Sequence, residues 1–115
     1  PSRTRQAAYK VERLANGRQA AQIYGNSMYP LMSDNAVVVY EPQDYNTLEP
    51  GIIVVYQRRD GSLYCHMLVE KRGQAWVAQG INNETSDDEL VTRDNYRGVV
   101  YASFMNWNDA RKANQ

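Results

Sequence analysis

Cysteine and histidine occur once each in the 115 residues, as the adjacent pair Cys65 and His66. A single cysteine allows no intrachain disulfide and no cysteine-based zinc knuckle, and a single histidine excludes a multi-histidine centre. No metal and no cofactor is therefore expected. Charge of one sign is missing too, because 13 Lys and Arg balance 13 Asp and Glu. General nucleic-acid binders carry a strong basic excess, so nucleic acid is not an expected partner. Long apolar runs are also lacking. The longest, Ala36 to Tyr40 and Gly51 to Tyr56, fall far short of the roughly 20 residues that span a bilayer as a helix. No signal-peptide pattern opens the chain. The expected protein has no membrane anchor in this chain and is cytoplasmic or otherwise soluble.

What is present reads as one globular domain, with 43% hydrophobic and 23% charged residues in the ordinary range. Residues 1–22 stand apart. Arg3, Arg5, Lys10, Arg13 and Arg18 face the single acid Glu12. Ala7, Val11, Leu14 and Ala15 sit at helical spacing, with Ser2 or Thr4 to cap and Asn16-Gly17 to stop. This stretch is expected to form a basic N-terminal helix or arm. Residues 23–105 read as a β domain, and 106–115 as a polar tail. The short β-branched runs Ala36–Tyr40, Gly51–Tyr56, Leu63–Glu70, Gln74–Gln79 and Arg97–Ala102 are separated by turn signals at Glu49-Pro50-Gly51, Asp60-Gly61 and Arg72-Gly73. The fold class expected is mainly β: a twisted, partly closed antiparallel sheet of about five to seven strands.

Three places could carry chemistry. Ser27 lies in Gly25-Asn26-Ser27-Met28-Tyr29-Pro30. It is either a turn serine or a nucleophile that needs a base to take its proton. His66 follows the Asp60-Gly61 hairpin. Strand alternation puts it on one face with Tyr64, Leu68 and Glu70. It is either a satisfied strand histidine or a general base; no other side chain in the chain has an ordinary pKa suited to that work near neutrality. Cys65, on the opposite face, reads as a small core residue. Gly80 to Glu89 holds four acids, Glu84, Asp87, Asp88 and Glu89. They form either a solvated loop or a source of the carboxylate that orients a histidine. A calcium loop fits poorly, because the EF-hand spacing and its glycine are missing.

In order and spacing the three resemble one superfamily. Gly25-Asn26-Ser27-Met28-Tyr29-Pro30 is similar to the G-x-S-M-x-P nucleophile motif of the signal peptidase I and SOS-repressor (LexA-like) serine peptidases. Leu48-Glu49-Pro50-Gly51-Ile52 through Val55 resembles the next element, with Ile52 at a customary aspartate. Gly80-Ile81-Asn82-Asn83 through Asp88 resembles the following G-D-N box, with Ile81 at its aspartate. Where the repressors and bacterial signal peptidases place a lysine, this chain has His66, as archaeal and endoplasmic-reticulum signal peptidases do. Met67 stands where an arginine usually follows the base. Lys71, the rival base, lies five residues on, at the hairpin end.

The resemblance implies a Ser–His–Asp arrangement. Ser27 would be nucleophile and His66 base. Asp88, by the Ser86-Asp87-Asp88 spacing, would be orienter, with Asp87 as the alternative. The N–H groups of Ser27 and of Asn26 or Met28 would form an oxyanion hole. It further implies a polypeptide substrate bound as an added β-strand, cut in trans or in the chain's own precursor. The small size suits a soluble peptidase of phage or mobile-element type. The competing expectation is a non-catalytic binding module on the same fold, docking a partner through the basic arm. Activity from a histidine base would rise through the ordinary imidazole range near about 6.5, whereas a lysine base would give an alkaline profile.

Overall fold

The computed structural model describes residues 17–105, so residues 1–16 of the helix or arm expected over 1–22, and the polar tail 106–115, lie outside the described residues. Six strands, β1 (Gln19–Gln22), β2 (Val37–Glu41), β3 (Ile53–Gln57), β4 (Leu63–Arg72), β5 (Ala75–Gln79) and β6 (Tyr96–Phe104), and one 3₁₀ turn (Tyr45–Thr47) make up the regular structure. All strand pairs are antiparallel, in the order β1-β2-β6-β3-β4-β5. The last strand in sequence thus sits near the middle of the sheet. The sheet is not closed, and β1 and β5 are its edges. No helix among the described residues is long and apolar enough to cross a membrane.

The apolar runs are continuous rather than alternating because both faces of the sheet are covered. Val54, Tyr56, Leu68, Trp76, Ala78 and Val91 pack on one face with Tyr45 and Leu48. Val38, Tyr40, Val55 and Cys65 pack on the other, under Met28, Met32 and Ala36. Full burial of a side chain such as Leu68 stabilises by about 1.5–3 kcal/mol.

One reading of the sequence needs correcting. Gln19–Gln22, placed at the end of a helix or arm, is an edge strand that pairs Ala20 with Val39 and Ala21 with Val38. Its residues have little intrinsic strand preference. The open ladder of β2 recruits them, which tertiary context commonly does over local propensity.

Two features position the site. First, β5 ends at Gln79, opposite Met67, so the first four residues of β4, Leu63 to His66, run on without β5 beside them. Second, the segment after β5 folds back and is pinned by backbone bonds. Trp76 and Val91 exchange two at 2.8 Å, and the N–H of Asp87 donates to the carbonyl of Ala78 at 2.8 Å.

Candidate active site

His66 pairs with Val54 across the β3–β4 ladder and is 5% exposed. Its ring spans two partners. Nε2 lies 2.9 Å from Ser27 Oγ. Nδ1 lies 2.7 Å from Asp87 Oδ2 and 2.9 Å from Oδ1. A carboxylate can only accept, so the Nδ1 proton belongs to the Asp87 contact and Nε2 is left to accept the Ser27 hydroxyl. The His66 and Asp87 side chains are 6% and 5% exposed, which strengthens their interaction over that of an exposed pair.

Ser27 reaches the ring from a turn outside the sheet. Gly25 has φ +85°, a left-handed conformation that glycine adopts without a Cβ clash, and its N–H donates to Asp34 Oδ1 at 2.7 Å. Met28, buried in the second core cluster, anchors the far side. The turn is then tied to the loop after β5. Asn82 donates from its backbone N–H to the Ser27 carbonyl at 2.8 Å and from Nδ2 to the Asn26 carbonyl at 2.9 Å. Among the described residues, none accepts from the N–H groups of Asn26, Ser27 or Met28.

Gly80 closes this junction. A Cβ there would lie 2.7 Å from the Ser27 carbonyl oxygen and 2.8 Å from Ser27 Cβ, closer than real contacts allow. Gly80→Ala is expected to keep the fold but displace Ser27 from the His66 ring. A thermal melt beside a crystal structure of the variant checks this, and an unmoved Ser27 Oγ would contradict it.

The carboxylate that meets the ring is Asp87, not Asp88. Asp88 points away, with its side chain 82% exposed and paired with Arg58 Nη2 at 2.5 Å. That guanidinium holds the Asp88 carboxyl below its ordinary value. The bond from the Asp87 N–H to the Ala78 carbonyl holds this part of the loop against β5, with the Asp87 side chain turned to the ring and the Asp88 side chain turned to solvent. Lys71 is also remote in character: exposed, with its ammonium 5.8 Å from the Trp76 ring centre. Ile52 packs against the first core cluster, and Ile81 is 40% exposed.

Cys65 is buried, its Sγ 3.8 Å from Met32 Sδ. Burial pushes its thiol up to about 12, so the reactive thiolate is scarce near neutrality. Native protein held with iodoacetamide at about pH 8 should keep its mass while an unfolded control is fully alkylated. Rapid alkylation of the native chain would contradict this burial.

Three aromatic or basic residues near the site carry no motif. Tyr56, opposite Tyr64 in the hairpin, donates its hydroxyl to Asp87 Oδ2 at 2.6 Å. Tyr64 lies edge-on to the His66 ring at 5.2 Å between centres, and Arg58 stacks over Tyr64 at 4.3 Å. The Asp60-Gly61 hairpin signal makes the Tyr56–Tyr64 pairing readable, but not the partner of the Tyr56 hydroxyl. A cleft of about 630 Å³ opens beside the serine, between Ile23–Ser27 and Ser62–His66, with Asn83 at its edge.

A family model described as Peptidase S24-like matches residues 5–100. The chain belongs to this family. The S24-like family lies within the LexA and signal peptidase I superfamily that the motifs resemble. No curated protein matches the chain. Membership brings peptidase ancestry, but the family also holds members without activity, so the chemistry of this S24-like chain rests on its own side chains.

Proposed function

We propose that the chain is a serine endopeptidase with Ser27 as nucleophile, His66 as general base and Asp87 as orienter. The carrying observation is the continuous line from Ser27 Oγ through His66 to Asp87, at 2.9 and 2.7 Å. Ser27 attacks the scissile carbonyl as His66 Nε2 takes its proton. Asp87 holds the Nδ1–H tautomer and stabilises the imidazolium. His66 then gives the proton to the leaving amine, and water attacks the acyl-serine by the same route. The N–H groups of Ser27 and of Asn26 or Met28, which have no acceptor among the described residues, would receive the oxyanion. Such donors are each worth about 2.7–4 kcal/mol in the transition state.

The cleft suits an extended polypeptide. The part of β4 that outruns β5, Leu63 to His66, offers backbone groups to an added strand, and side-chain hollows give the selectivity. Cleavage in trans and cleavage of the chain's own precursor both fit this geometry. The test is mass spectrometry of the full chain, wild type against Ser27→Ala, incubated alone and with a proteome-derived peptide library. New termini at a restricted set of bonds, seen only with wild type, support the proposal. No cleavage of either kind would favour the reading as a binding module without activity.

A further inference from the structure

Asp87 is useful to His66 only if its oxygens stay in the plane of the ring. Its backbone is held at Ala78, but its side chain keeps two torsions. Tyr56 supplies the missing constraint. Its ring is 0% exposed in the first core cluster, so its hydroxyl has one direction available, and that hydroxyl reaches Asp87 Oδ2 at 2.6 Å. Proton direction is settled by chemistry. Arg58 Nη1 donates to the Tyr56 oxygen at 3.3 Å. A guanidinium cannot accept, so the single hydroxyl proton goes to the carboxylate. Burial first, and then the Asp87 carboxylate, raise the Tyr56 hydroxyl well above its usual value, so it remains a donor. Arg58 is itself fixed by Asp88 at 2.5 Å and Glu89 at 3.6 Å. Around the ring, the titratable and charged groups are therefore Asp87, Tyr56 and Tyr64, with Arg58, Asp88 and Glu89 behind them.

We infer that Tyr56 is a positioning residue of this site: its hydroxyl, oriented by Arg58, locks the Asp87 carboxylate onto His66 Nδ1. The inference rests on the triad reading above for its kinetic consequence, but not for the contact itself. It also gives Asp88 a role, as the anchor of the arginine that aligns Tyr56. Chains of this kind act together, so deleting one member loosens the rest.

His66 is the only histidine, so its ring signals are unambiguous in solution. The test follows the Nδ1 proton of ¹⁵N-labelled full-length protein by NMR, in wild type, Tyr56→Phe and Arg58→Gln. Wild type should show a downfield, slowly exchanging Nδ1–H. Tyr56→Phe should broaden it or speed its exchange at least about tenfold, and Arg58→Gln should do so more weakly. If Tyr56→Phe does not fold, Arg58→Gln decides. A resonance unchanged in every folded variant would overturn the inference.

Labelling by a fluorophosphonate gives the kinetic arm. Ser27 Oγ forms the bond to phosphorus, fluoride leaves, and the serine proton passes to His66. Tyr56→Phe should slow the bond-forming step about tenfold with reagent affinity unchanged. It should cost nothing further on Asp87→Ala, the non-additivity expected of residues acting through one another. Full additivity would overturn the inference. Wild type that never labels, yet shows the expected proton behaviour, would sink the peptidase reading and leave the positioning contact standing.

Discussion

His66→Ala is expected to lower kcat by about 10⁵- to 10⁶-fold, the scale of removing the base from a serine triad. Among the described residues, the ring is the base that reaches Ser27 Oγ, at 2.9 Å. The rival, Lys71, is exposed and lies against Trp76, so Lys71→Ala should leave kcat within about threefold, as surface changes usually do. The loss should fall on kcat rather than KM, because the ring acts when the proton moves. Retained activity in His66→Ala, with an alkaline pH profile, would move the base elsewhere.

Asp87→Asn is expected to lower kcat by about 10³- to 10⁴-fold, and the structure gives the reason in detail. Tyr56 donates to Oδ2, the same oxygen that lies 2.7 Å from His66 Nδ1. In the amide the carbonyl oxygen takes that place and the NH₂ group takes the place of Oδ1, 2.9 Å from Nδ1. The ring then meets a donor beside its remaining acceptor, and the imidazolium loses the negative charge that stabilises it. An amide at this position costs about 10⁴ in the serine-protease template. Asp88→Asn removes the charge of a carboxylate that is 82% exposed and should cost less than about tenfold, because exposed charges are screened. The two variants should be compared at matched thermal stability. Equal losses would mean that the loop, rather than one carboxylate, supports the ring.

Much of the sheet was legible because its strands are β-branched runs between turn signals. Ile53–Gln57, Leu63–Arg72 and Tyr96–Phe104 lie within a few residues of where the sequence suggests. Gln19–Gln22 was not legible, since its identity as a strand comes from the edge of β2 and not from its own residues. The far half of β4 also departs from simple alternation. The ladder slips by one residue between Leu68 and Glu70, leaving Val69 41% exposed, and nothing in Leu68-Val69-Glu70 announces a bulge.

In the site, motif spacing singled out Ser27 and His66, and the structure brings those two together. The same spacing favoured Asp88, whereas the carboxylate on the ring is Asp87: spacing does not say which of two neighbouring side chains turns inward, and here the Asp87 N–H is bound to the Ala78 carbonyl. Tyr56 looked like any buried strand aromatic. Its ring is one, but its hydroxyl meets a residue 31 positions away, a contact that exists only once the loop after β5 has folded back.

Peptide mapping after fluorophosphonate treatment reads the activation of Ser27 by His66 most directly. The chain carries other serines, among them Ser62, Ser86 and Ser103, which serve as internal controls for reactivity without the His66 ring. Wild type should carry a single adduct on Ser27, and His66→Ala should carry none in the same time. Adducts spread over several hydroxyls, or a Ser27 adduct that forms equally fast without His66, would contradict the triad.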